Sequence, residues 1–206
     1  MLTATEALAR LRAGNQRFVA NESTAANLDA AHRAHLVAGQ QPFAIILGCS
    51  DSRVPAEFVF DQGFGDLFVI RVAGNIIAPS LVGSVEFAAA RFGTRLVVVL
   101  GHTHCGAVIA TVEEMMGSAP SPSRNLRDIV DRIRPSVATV LAAGGADDAQ
   151  AVVRSAIRAN VRAAVDHLKH GSALLENLVQ SAGLRIVGAE YSLETGVVEF
   201  FDADME

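Results

Sequence analysis

Short apolar runs alternate along this chain with longer stretches whose apolar residues recur at helical spacing, and that alternation restricts the fold more than any other feature. Phe43–Gly48, Leu67–Arg71, Leu96–Gly101 and Leu184–Ala189 are apolar at nearly every position and too short for helices. Such runs suit strands covered on both faces. Ser80–Arg91 and Gly106–Met116 have helical spacing and end at Gly93 and Gly117. Two long helical patterns follow, Asn125–Ala143 and Asp147–His170, parted by Gly144 and Gly145. Pro135 is expected to kink or split the first of them. Ser172 opens a last helix ending near Gly183, Tyr191–Gly196 reads as a turn, and Val197–Phe201 as a short antiparallel strand at the edge. Strands alternating with helices imply an α/β fold: a mainly parallel central sheet of four to five strands flanked by helices.

The N-terminal end differs. Thr3-Ala-Thr-Glu6 forms a capping box for a helix with Leu8, Leu11 and Phe18 on one face. A polar stretch, Asn21–Asn27, interrupts it, and Asp29–Ala38 reads as a second short helix. Residues 1–40 are therefore expected as an N-terminal helical arm resting on a neighbouring subunit, and 41–206 as the α/β core of a single domain. A mean hydropathy of +0.32 agrees with apolar surface buried between subunits.

Charge and composition exclude several classes of function. The 17 basic and 22 acidic side chains leave a net charge of −5, with no basic stripe for nucleic acid. The longest apolar runs, Phe43–Leu47 and Leu96–Leu100, are far shorter than the roughly 20 residues of a membrane helix. Met1–Thr5 has neither the basic flank nor the apolar segment of a secretory signal, so the cytoplasm is the expected compartment. The two cysteines are then better suited to a metal or to catalysis than to a disulfide.

Both cysteines follow strands. Cys49 succeeds Phe43–Gly48, and His102 and Cys105 succeed Leu96–Gly101. Ligand crevices of open parallel sheets lie beyond the carboxyl ends of the strands. Two thiolates and an imidazole suit Zn(II). The fourth position is open between two states. Either Asp51 completes the tetrahedron, or it accepts a hydrogen bond from a zinc-bound water while Arg53 keeps it ionised and in place. Two thiolates and a neutral His leave the zinc shell near zero charge, so the water needs such an orienting partner more than it would beside three histidines. A dithiol oxidoreductase is disfavoured, because no Cys-x-x-Cys occurs.

Cys49-Ser-Asp51-Ser-Arg53-Val-Pro, followed by Gly101-His102-Thr-His-Cys105-Gly106, closely resembles the β-class carbonic anhydrases. The segments Gly65–Asn75, Gly83-Ser-Val-Glu86-Phe and Val187-Gly-Ala-Glu-Tyr191 match that family's layout in the same order. The resemblance implies reversible hydration of carbon dioxide to bicarbonate and a proton, by zinc-bound hydroxide. It places Cys49, His102 and Cys105 on the zinc ligands, with one zinc ion per chain, and Asp51 and Arg53 on the catalytic dyad. It also implies a homodimer or homotetramer. His102 rather than His104 has the family's ligand spacing.

Some positions depart from the family. Ile46 stands where members with a regulatory bicarbonate site have Trp, although Arg71 and Tyr191 match that site's other two residues. Gln62 lies one residue from a Gln that some members place near substrate. On structural grounds Arg71 is expected to pair with a carboxylate such as Glu57, and Gly101 and Gly106 to allow close backbone approach at the metal loop. Two other functions share the ligand set: a carbon disulfide hydrolase and a noncatalytic zinc or redox sensor. The short stretch after the last strand disfavours the first.

Overall fold

The computed structural model describes residues 2–24, 28–117, 123–144 and 148–201. Parts of the polar stretch Asn21–Asn27, of the stretch from Gly117 to Ser123 and of the Gly144-Gly145 break lie outside them.

Five strands form one sheet: β1 (Ala44–Gly48), β2 (Leu67–Arg71), β3 (Leu96–His102), β4 (Arg185–Tyr191) and β5 (Val198–Phe201). Their order is β2-β1-β3-β4-β5. The first four run parallel, and β5 is antiparallel to β4. The expected mainly parallel sheet is thus present, though β3 and β4 each extend to residues placed beyond them by the sequence, His102 and Tyr191. The continuous apolar runs follow from burial on both faces. Ala44, Ile46, Leu96, Val98 and Leu100 join one core, while Ile45, Leu47, Val97 and Val99 join the other. Each of these Ile, Leu and Val side chains stabilises the fold by roughly 1.5–3 kcal/mol relative to exposure.

Helix α1 (Ala4–Val19) starts at the expected capping box, with the Glu6 side chain accepting from the Thr3 N–H at 2.8 Å. Ala4, Ala7, Leu8 and Leu11 pack into the chain's own first core. Buried Asn15 fastens it there, donating to the Val59 and Gly196 carbonyls and accepting from the Val198 N–H. These residues are thus covered by this chain's own sheet. Helix α2 (Ala30–Leu36), in contrast, has no buried residue.

Helix α3 (Ala56–Val59) and a 3-10 turn at Ala73–Asn75 carry no periodic signal because each is a single turn. Helices α4 (Pro79–Arg91), α7 (Ala149–His170) and α8 (Ala173–Ser181) cover the second core. Helices α5 (Gly106–Met115) and α6 (Arg124–Ala142) form, with part of α7, a third cluster around the cysteines. Pro135 does not split α6, which is one helix. Ile133, Ser136 and Val137 beside it are buried, so tertiary packing offsets the lost backbone bond.

Gly101 is required where α7 crosses β3. A Cβ there would lie 2.5 Å from Val161 Cγ2 and 3.5 Å from Ile157 Cγ2. Gly101→Ala is expected to lower unfolding free energy by about 1–3 kcal/mol, read from urea denaturation. Gly106 does not share this constraint, since a Cβ there would enter open space.

Candidate metal centre

The chain turns from β1 to its neighbour β2 on one side, then crosses so that β3 pairs on the other side of β1. The crevice between β1 and β3 is therefore the sheet's switch point, where two connections diverge. Gly48 pairs with Leu100 in the parallel register, so Cys49, just past β1, and His102, the last residue of β3, emerge side by side. Cys105, at the N-cap of α5, completes the group. The ligand atoms of Cys49, His102 and Cys105 all lie within 4.8 Å of one another, and all three residues are buried.

His102 Nδ1 lies 2.8 Å from the Thr103 carbonyl. A carbonyl only accepts, so Nδ1 carries the proton and Nε2 presents a lone pair. That Nε2 is fully buried and has no hydrogen-bond partner. An orphaned buried nitrogen costs about 1–3 kcal/mol unless something else satisfies it. A soft or borderline cation facing two sulfurs and this nitrogen would do so, and the donor set suits zinc.

Electrostatics agree. A hydrogen bond from Cys105 holds the Cys49 thiol well below its usual range, against the cost of burial. His102 and the Gly74 N–H, 3.3 Å from the sulfur, help. Cys105 is pushed up, first by giving its proton to that bond and then by burial beside an anion. One thiolate therefore forms readily and the second needs a cation nearby. Burial opposes charge on His102, but the Cys49 sulfur beside it, drawn towards its anionic form, outweighs burial and raises the imidazole.

Asp51 lies beside the group, its Oδ2 3.9 Å from His102 Nε2. Both carboxylate oxygens are engaged by Arg53: Nε donates to Oδ1 at 2.9 Å and an Nη to Oδ2 at 2.7 Å. This fork holds the Asp51 carboxyl well below the usual carboxylate range. Arg71 does not meet Glu57. It donates to the Cys49 and Asp51 carbonyls instead and so braces the loop between them. Gln62 bonds the Phe60 carbonyl and Arg10, while Tyr191 is buried against Phe18. His104 points elsewhere, 2.6 Å from Glu194.

Sequence reasoning did not single out Gly74. Its N–H reaches Cys49 because φ is +69° and because a Cβ would meet Ile133 at 2.7 Å and Ala107 at 3.0 Å. Asn160 on α7 holds the Gly74 carbonyl at 2.8 Å. The available signal was the Gly-Asn pair just past β2, at the same edge of the sheet as Cys49.

Comparison with known proteins agrees with this geometry. The carbonic anhydrase family profile matches residues 44–198. Carbonic anhydrase 2 of Mycobacterium tuberculosis is 40% identical over 90% of this chain and 87% of its own. The carbonic anhydrase of Mycolicibacterium smegmatis is 39% identical over 92% and 89% respectively. The crystal structure of the β-carbonic anhydrase CafA of Aspergillus fumigatus superposes with a TM-score of 0.75 at 26% identity, covering 98% of this chain and 92% of that one. A tetrameric β-carbonic anhydrase of Sordaria macrospora shares the fold, with a TM-score of 0.71 at 24% identity over 84% of this chain and 91% of that one. Sheet order, the cysteine and histidine side chains converging at its switch point, and likeness along nearly the whole sequence have one common explanation: the chain belongs to the β-carbonic anhydrases.

Proposed function

We propose that this carbonic anhydrase converts carbon dioxide and water to bicarbonate and a proton at the Cys49–His102–Cys105 group, with Asp51 and Arg53 as its working pair. The orphaned Nε2 of His102, facing two buried sulfurs beside an Arg-held carboxylate, carries the proposal. Cys49, His102 and Cys105 would hold one zinc ion per chain. When bound, zinc supplies a Lewis acid that acidifies water into a nucleophile at moderate pH.

The chain's own residues do the rest. Asp51, ionised and accepting only, orients a proton-bearing oxygen next to the His102 nitrogen and rejects species with no proton to give. Arg53 occupies both carboxylate oxygens and keeps Asp51 facing the site rather than swinging further inward as a ligand. Arg71 fixes the backbone on which Cys49 and Asp51 ride. Stopped-flow hydration of carbon dioxide by zinc-loaded protein from pH 6.5 to 9 tests the proposal. Fast turnover throughout is expected. No turnover at any pH, with one zinc bound per chain, would refute it in favour of a carbon disulfide hydrolase or a sensor.

The same proposal includes self-association. β2 is a sheet edge, and apolar side chains gather on it without cover. Phe58 (68% exposed), Phe64 and Leu28 surround Leu67, while Phe87 (54% exposed) packs on Phe68. A second copy is the partner that would bury this face. Light scattering is expected to give two or four times the 21.6 kDa of one chain, and Phe58→Asp to lower that mass. Among the described residues, no helix is long and apolar enough to cross a membrane. Both cysteines are free, as a reducing cytoplasm would keep them.

A further inference from the structure

We propose that Glu194, on the turn between β4 and β5, is a positioning residue for the metal loop. It acts by holding both residues of the Thr103–His104 peptide, whose carbonyl sets the His102 tautomer. The inference rests on the metal reading above.

The loop between the ligands His102 and Cys105 has two residues, Thr103 and His104. One carboxylate grips both. Glu194 Oε2 accepts from the Thr103 hydroxyl at 2.8 Å, and Oε1 meets His104 Nε2 at 2.6 Å. Ser192 donates to Oε2 at 3.0 Å and so fixes the carboxylate on its own turn. The same turn holds Thr103 at two further points: the Leu193 N–H donates to its hydroxyl oxygen, and its own N–H donates to the Tyr191 carbonyl.

The consequence falls on His102. The Thr103 carbonyl accepts from His102 Nδ1, and that bond leaves Nε2 facing the sulfurs with its lone pair free. A peptide plane anchored at both flanking side chains keeps its carbonyl aimed, and an aimed carbonyl holds the ring and its tautomer. The loop needs the anchor, because His104 adopts a left-handed φ of +54° that a non-glycine residue seldom takes unsupported. Thr103, then its own backbone N–H, His104 and Ser192 together hold the Glu194 carboxyl at about 2, so it remains an anionic acceptor at any working pH.

Zinc affinity of the full chain, measured by competition with a chromophoric chelator, tests this, with Co(II) absorption bands as a second readout. Glu194→Ala is expected to weaken binding about tenfold, within the range usual for partners of metal ligands, and to shift the Co(II) bands. Glu194→Gln is expected to keep affinity within about twofold, since its amide oxygen still accepts from Thr103. Thr103→Val should match Glu194→Ala, and the double variant should be no worse than either. Glu199→Ala, on β5 and paired with Arg158, should change neither readout and controls for general loosening of the hairpin. If the unmodified chain takes no zinc, both the metal reading and this inference fall. If it binds zinc and neither Glu194→Ala nor Thr103→Val moves the affinity or the bands, only this inference falls. Should Glu194→Ala not fold, Thr103→Val decides in the same way.

Discussion

Cys105→Ser protein is expected to fold, to lose most of its zinc on dialysis, and to hydrate carbon dioxide no faster than solution does. The substitution changes little volume at a site that is 1% exposed, so packing around the N-terminus of α5 should survive. What changes is the donor: a hard, protonated hydroxyl replaces a thiolate that zinc prefers. Zinc held by cysteine and histidine sites is worth about 10–16 kcal/mol in all, or roughly 3–4 kcal/mol for one of four positions. The expected loss in affinity is therefore about two to three powers of ten. Cys49→Ser and His102→Ala should behave alike, and His102→Ala should also lose stability because its ring is fully buried. Metal analysis, far-ultraviolet circular dichroism and stopped-flow assay on the same sample separate loss of metal from loss of fold. A Cys105→Ser enzyme that keeps both zinc and turnover would overturn the ligand assignment.

The second large effect is expected at Asp51, with zinc retained. Asp51→Asn preserves shape but converts an acceptor-only group into one that can also donate, so it no longer rejects an oxygen lacking a proton. A general acid–base or orienting group of this kind is worth about 10²–10⁴-fold in rate, and a fall in that range with full metal content is the expected result. Arg53→Ala should fall less far, because it removes the fork at 2.7 and 2.9 Å but leaves the carboxylate. Arg53→Lys should lie between, a point charge lacking the fork. Arg53's hydrogen bonds depress the Asp51 carboxyl, so the stabilisation it brings is present above the unfolded carboxyl value near 3.9 and lost only as pH falls through the lower folded value. No titration of Asp51 should therefore shape the rate between pH 6.5 and 9. Wild-type turnover in Asp51→Asn would sink the dyad.

The sheet and the metal group were legible in the sequence for the same reason. Strands buried on both faces must be apolar throughout, so polar and ligating residues can only resume at their ends, as Cys49 and His102 do. Reading the periodicity of α4, α5, α7 and α8 needed no more than local spacing. Pro135 does not end α6 because its cost is local, whereas the burial of Ile133 and Val137 that offsets it comes from helices elsewhere in the chain. The apolar stripe of helix α1 is plain in Leu8 and Leu11, but a stripe records only that some surface covers it; the packed chain shows that its own sheet covers these residues.

Periodicity and strand-end chemistry thus determined the α/β class and the strands, and marked Cys49, His102, Cys105 and Asp51 as the candidate site. Tertiary structure alone decided which backbone groups serve them. The Gly74 N–H on Cys49 and the Arg71 clamp on the Cys49 and Asp51 carbonyls each join residues 20 to 25 positions apart, and the Glu194 grip on the Thr103 and His104 side chains spans 90 and 91. Backbone donors and acceptors are the same at every residue, so no side-chain pattern marks which of them will meet a ligand. Only the packed chain brings them within hydrogen-bond reach.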